Sequence, residues 1–144
     1  MSNAGPPRVF HLLHLAHGAL FRAIDRRLRE AEGIATAHQV ILFTLVAEDG
    51  LSSSEVAERA GHSRSRLTGL VDTLEAKGLV ERRASADDGR VNLLHVTPEG
   101  RGLIARTMAE AKGLNAMLLA PFDPAEQETI SRFLQHVLET SETL

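Results

Sequence analysis

The chain has 144 residues, of which 43 % are hydrophobic and 24 % charged, with a formal net charge of −3; that is one domain's length with enough apolar mass for a core. It contains no Cys, Trp or Tyr, which excludes disulfides, thiolate metal sites, thiol redox sensing, and Tyr or Trp stacking on single-stranded nucleic acid. No apolar run approaches the ~18–20 residues of a membrane span and the N-terminus shows no charged-then-apolar leader, so no membrane partner is expected and the expected compartment is the cytoplasm.

Met1–Ala4 are set aside from the fold argument. The first helix is expected from Arg8 to Ala31, where Val9, Leu12, Leu13, Ala16, Ala19, Leu20, Ala23 and Ile24 recur at three- and four-residue steps and share one wide apolar face. Glu32-Gly33 ends it. Thr36 and Gln39 stand in capping-box spacing at the start of a second helix. Its run Val40, Ile41, Leu42, Phe43, Leu45, Val46 is apolar nearly all round and is expected at the buried centre. After the turn Glu48-Asp49-Gly50, Ser52 and Glu55 repeat the capping spacing ahead of a short helix that stops at Gly61.

Another helix is expected from near Ser63. Leu67, Leu70, Val71 and Leu74 give it a core stripe, and Lys77-Gly78 form a C-terminal stop. Leu79 to Arg83 reads as a strand, Asp87-Asp88-Gly89 as a turn, and Val91 to Val96 as the returning strand with Leu94 and Val96 inward. Thr97-Pro98-Glu99 opens a helix to about Leu119. Pro121 breaks it, and Asp123-Pro124 opens a last helix whose stripe is Ile130, Phe133, Leu134, Val137 and Leu138. The fold class is therefore mainly α with a small β-hairpin wing: a winged helix-turn-helix lobe over 35–97, with the segments 8–31 and 98–144 as dimerisation helices of one domain.

A short helix, a turn containing Gly61 and a second helix define a helix-turn-helix. Opposite its leucine stripe lie Arg64, Ser65, Thr68, Gly69 and Asp72, with Arg66 and Thr73 on the flanks. Hydroxyls permit close approach to a groove, and Arg reaches phosphates or guanine edges. Gly69 costs ~1 kcal/mol against Ala in a helix, which makes sense where the face must sit close to something. Arg90 at the wing tip suits a minor groove, and Arg82 and Arg83 at its base are placed for phosphates. Charge distribution agrees: residues 59–90 hold seven Lys/Arg against five Asp/Glu, whereas residues 110–144 hold two against six. The expected partner is double-stranded DNA.

Ser63-Arg64-Ser65 with Leu67-Thr68, the run from Leu70 to Val80, then Asp88-Gly89-Arg90 and Val96-Thr97-Pro98-Glu99-Gly100 resemble the MarR family of transcriptional regulators over nearly the whole chain. The resemblance implies an obligate homodimer through the first and last two helices. It also implies two recognition helices in successive major grooves of a palindromic site, ~34–36 Å apart. Many members repress, and release DNA when a small, often phenolic, anion binds between the dimer helices and the DNA-binding lobe. Leu93 departs from relatives that often carry a polar or basic residue there. The missing Cys argues against the family's thiol-oxidation sensors.

Competing readings attach to particular residues. Arg64 and Arg66 stand on a face that is either solvated or DNA-bound. Asp72, which would repel phosphate, suits a pairing with a nearby Arg, and Asp88 either braces the wing through an arginine or serves the turn. His11, His14 and His17 step along the first helix as a packing edge more naturally than as ligands, so no metal is expected. His17 and His38 are candidates to line an effector pocket. Gly61-His62-Ser63-Arg64-Ser65 lacks the closing glycine of a nucleophile elbow, Asp87-Asp88-Gly89 is too short for a calcium loop, and no phosphate-cradling loop occurs. Catalysis and cofactors are thus not expected. The remaining alternative is a winged helix that binds protein instead of DNA; Arg64, Arg66 and Arg90 discriminate, since only DNA binding should require them.

Overall fold

The helix starts at Ser53, Pro98 and Pro124 follow local hydrogen-bonding groups. The computed structural model describes residues 5–144. Its elements run α1 (Val9–Glu32), α2 (Thr36–Ala47), β1 (Leu51–Ser52), α3 (Ser53–Ala60), α4 (Arg64–Ala76), β2 (Val80–Ala84), β3 (Asn92–Val96), α5 (Pro98–Leu119) and α6 (Pro124–Ser141). At α3, Ser52 Oγ accepts the Glu55 N–H at 3.3 Å while the Ser52 N–H donates back to Glu55 Oε2 at 2.9 Å. Asp123 and Glu126 make the same reciprocal pair at α6. Thr97 caps α5, accepting the Gly100 N–H at 3.1 Å and donating its own hydroxyl to the Gly78 carbonyl at 2.6 Å.

The start of α2 is built differently from the Thr36–Gln39 capping box expected of it. The flanking residue is Ala35, which has no side-chain acceptor, and its N–H donates instead to His38 Nδ1 at 3.0 Å. Thr36 turns both its N–H and its hydroxyl to Asp25 Oδ1 of α1, at 2.8 and 2.9 Å. A charged carboxylate is the stronger acceptor, so the tertiary partner wins over the local one. Arg29 Nε adds a bond to the other Asp25 oxygen at 2.7 Å. With Arg29 and both Thr36 donors on it, the carboxyl is held down from 3.8 to about 2.

The winged sheet also exceeds the two-stranded hairpin read from the sequence. It has three antiparallel strands in the order β1-β3-β2, with Leu51 opposite Leu94 and Val80 opposite Val96. Two residues are too few for an alternating pattern to show, but Leu51 buries its side chain and gives β3 a partner on its second edge. Asp49 Oδ1 takes the Val96 N–H at 2.9 Å and pins the end of β3.

The core draws Ile41, Leu42 and Leu45 from α2, Val56 from α3, Leu67, Val71 and Leu74 from α4, and Leu94 from β3, none more than 1 % exposed. Each such side chain contributes roughly 1.5–3 kcal/mol by leaving water. Val40 and Phe43, expected to be buried with them, are 38 % and 39 % exposed. A helix that is apolar all round still has only one side against the lobe. On α1 only Leu28 is buried, while Phe10, Leu12, Leu15, Leu20 and Phe21 stay open to solvent.

Compactness divides the chain inside α5, into a unit ending at Ile104 and a unit Ala105–Leu144. The first holds α1, the winged lobe and the start of α5. In the second, Met117, Leu118, Phe133, Leu134 and Leu138 are exposed. Among the described residues, no helix is long and apolar enough to cross a membrane.

Candidate nucleic-acid interface

The turn between α3 and α4 is three residues long because each helix end is closed by a specific device. Gly61, at φ +70°, is left-handed, and the following His62 N–H reaches back to the Ala57 carbonyl at 2.9 Å. This is the glycine-closed helix end, which needs a residue free of a Cβ penalty. Ser63 then caps α4, its Oγ accepting the Arg66 N–H at 3.2 Å. Gly78, at φ +72°, ends α4 the same way, with Leu79 N–H on the Leu74 carbonyl at 2.9 Å.

With Leu67, Val71 and Leu74 buried, α4 turns Arg64, Ser65, Arg66, Thr68, Gly69 and Asp72 to solvent. The guanidinium of Arg64 donates to the Ser54 hydroxyl of α3, which lays it along the helix-turn-helix surface. Among the described residues no carboxylate pairs with Arg66. Thr68, exposed, commits its hydroxyl hydrogen to the Arg64 carbonyl at 3.0 Å, and its oxygen keeps acceptor capacity. A Cβ built on Gly69 would meet nothing within 4 Å, so the free protein has no steric need for glycine there.

The wing projects from the same lobe. Asp88 Oδ1 accepts the Arg90 N–H at 3.0 Å and its Nε at 3.3 Å. Turn chemistry and an arginine partner therefore coincide in one carboxylate. The Arg90 side chain is nonetheless 93 % exposed. Arg83 pairs with Glu81 on its own strand. Arg82 differs: it is 26 % exposed, and its two terminal nitrogens reach Asp72 Oδ1 and Glu75 Oε1 of α4, each at 2.7 Å. Asp72, followed by Glu75, raises its pKa further above the ordinary arginine value. The expected pairing of Asp72 with an arginine is thus present, and the arginine is one that the sequence pattern had suggested for phosphate.

The two histidines proposed for an effector pocket lie on different helices with different neighbours. His17 is exposed on α1, its ring centroid 6.3 Å from that of Phe21. His38 is partly buried at the start of α2. Burial, then the charges of Arg29 and Lys77, push its pKa down, which favours the neutral ring that can accept the Ala35 N–H. A cavity of about 380 Å³, open to solvent, is lined by Phe122, Asp123, Ala125, Glu126, Thr129 and Ile130 and involves neither histidine. Among the described residues no three His, Asp or Glu side chains gather as a metal site. Ser54 and Glu75, which hold Arg64 and Arg82, carried no signal in the sequence beyond being polar residues on neighbouring elements.

A match to the MarR family spans residues 33–91, from the end of α1 to the wing. A protein of Thauera aromatica, described as a transcriptional regulatory protein for the hcr operon, is 32 % identical over 133 residues, 90 % of this chain and 80 % of that one. This chain belongs to the MarR family. The HTH-type transcriptional repressor Mb2911 of Mycobacterium bovis is 31 % identical over 118 residues, 82 % of the present chain and 85 % of that repressor. The PcaV transcriptional regulator of Streptomyces coelicolor shares the fold, with a TM-score of 0.77 and 28 % identity, over 96 % of this chain and 100 % of its own. PcaV is also solved in complex with its natural ligand, at TM-score 0.66 and 29 % identity, over 96 % of this chain and 99 % of that one. As a MarR-family protein the chain is a DNA-binding transcriptional regulator and not an enzyme.

Proposed function

We propose that this MarR-family regulator is a cytoplasmic repressor that binds a palindromic operator as a homodimer and releases it when a small organic anion binds. The observation that carries the reading is the outward face of α4: two arginines, two hydroxyls and a glycine, with the capping Ser63 ahead of them, beside a wing whose Arg90 stands almost wholly in solvent. Ser63, Arg64, Ser65, Arg66 and Thr68 are the major-groove set. Arg90 enters the minor groove, and Arg83 lies within reach of the backbone.

The exposed apolar residues of α1 support the dimer, as do those of the Ala105–Leu144 unit taken by themselves. Apolar surface on this scale marks an interaction site, and a second copy would cover it. Effector release is supported by the ligand complex of PcaV and by the chemistry around His38. A neutral ring that accepts at Nδ1 carries its proton on Nε2, which makes His38 a donor in the field of Arg29 and Lys77. That suits an anion, phenolic carboxylates first among those to try, with His17 the second candidate to line the site. A ligand with no preference between the DNA-competent and incompetent spacings would release nothing.

Fluorescence anisotropy on the duplex upstream of the protein's own gene, against a scrambled duplex across a salt series, tests the reading. Tight, selective binding that weakens steeply with salt is expected. Arg64→Ala should cost about 1–3 kcal/mol and relax sequence preference if Arg64 reads a base. Unchanged binding in both Arg64→Ala and Arg90→Ala would overturn the interface and leave the winged helix as a protein-binding module. Sedimentation in the same buffer tests the dimer, and a monomer at micromolar concentration would refute it.

A further inference from the structure

We propose that Arg82 is a positioning residue for DNA recognition, a clamp that sets the wing against the recognition helix, and not itself a contact to DNA. The inference rests on α4 being the helix that enters the groove. Asp72 and Glu75 are three residues apart on α4 and so share one side of it. Arg82, on β2, offers one terminal nitrogen to each, at 2.7 Å in both cases. A planar fork spanning two carboxylates fixes distance and angle together, which a lysine's point charge does less well.

The position of the clamp gives it leverage. Arg82 sits opposite Leu94, on the side of the wing nearest the core, whereas the hairpin beyond it, at Arg83, Ala84, Ala86, Asp87 and Gly89, is exposed. The tip that carries Arg90 has no core of its own. Its direction relative to α4 is therefore set at the base, by the buried Val80 and by the Arg82 bonds. Asp72 also belongs to the exposed face that includes Ser65, Thr68 and Gly69, at helical spacing. A free carboxylate there would meet phosphate, and Arg82 both turns it aside and neutralises it.

Electrostatics and positioning predict opposite signs for one substitution. Asp72→Asn with Glu75→Gln removes two negative charges from a surface that faces a polyanion. If Arg82 touched phosphate, that variant would bind DNA more tightly, since the arginine would be released from its acids. If Arg82 is a clamp, operator binding weakens because the wing loses its setting.

The experiment uses the full chain and the variants Asp72→Asn/Glu75→Gln, Arg82→Gln and Arg82→Lys, with thermal melting to confirm that each folds. Anisotropy on operator and scrambled duplexes across salt gives affinity and salt slope. Hydrogen exchange of the amides of residues 83–92 is measured without DNA. The clamp predicts about a tenfold or greater loss of operator affinity in both the acid-to-amide and the Arg82→Gln variants. It also predicts unchanged salt slopes, partial rescue by lysine, and faster exchange in the wing. Equal or tighter binding by the acid-to-amide variant overturns the proposal, as does a salt slope reduced by about one in Arg82→Gln with the wing amides unchanged. Should Arg82→Gln fail to fold, the acid-to-amide variant, altered only at exposed positions, still decides. Arg64→Ala binding like the parent would refute α4 as the reading helix, while the DNA-free exchange would separately report on the clamp.

Discussion

Gly69 lies in the middle of the recognition helix, on its exposed face, where a Cβ would find no atom within 4 Å. Replacing it with alanine reduces the backbone freedom lost on folding and adds no clash, so the free protein should gain about 0.8–1 kcal/mol. For a chain of this length that corresponds to a rise of roughly 2–4 °C in Tm. Operator binding should move the other way. If the groove presses on this face, one inserted methyl group forces a shift worth about 1–3 kcal/mol, or roughly 5- to 150-fold in Kd. Thermal melting of the free protein and anisotropy titration of operator DNA measure the two effects on the same preparation. A variant that melts higher and binds as the parent does would refute close approach at Gly69. A variant that melts lower would refute the account of the free helix.

Two further outcomes test the frame that carries the interface. A Cβ on Gly100 would stand 2.3 Å from the Leu79 carbonyl oxygen and 2.7 Å from Val96 Cγ2, so Gly100→Ala should lower stability by about 1–3 kcal/mol; chemical denaturation with an unchanged midpoint would contradict this. Asp25 has its folded pKa depressed to about 2, so its contribution is present above its unfolded pKa and is lost as pH falls toward 2. Tm followed from pH 5 to pH 2 should therefore fall more steeply in the parent than in Asp25→Asn, and parallel curves would remove Asp25 from the account.

What was legible in the amino-acid order shares one property: the partners are close along the chain. Ser52 and Glu55 are three residues apart, Thr97-Pro98-Glu99 and Asp123-Pro124 are contiguous, and the helices open where these signals say. The stripe of Leu67, Val71 and Leu74 repeats at the helical period and is buried as a stripe. The outward face of α4 followed from that stripe by exclusion. Thr36 shows where such reasoning stops. Its spacing to Gln39 suits a cap, yet Asp25, eleven residues back, takes both of its donors.

By itself the sequence determined the order of the helices, the caps of α3, α5 and α6, the glycine-closed ends at Gly61 and Gly78, the core stripe of α4 and the arginine at the wing tip. These depend on hydrogen bonds and periodicities that reach only a few residues. Tertiary structure alone decided that Leu51 and Ser52 form a third strand on β3, that Asp25 ties α1 to α2, that Val40 and Phe43 remain partly open, and that Arg82 faces Asp72 and Glu75. The reason is geometric. A strong acceptor or an open strand edge takes whichever donor the folded chain brings within 3 Å, and that donor is not marked in the linear order when packing brings it from another element.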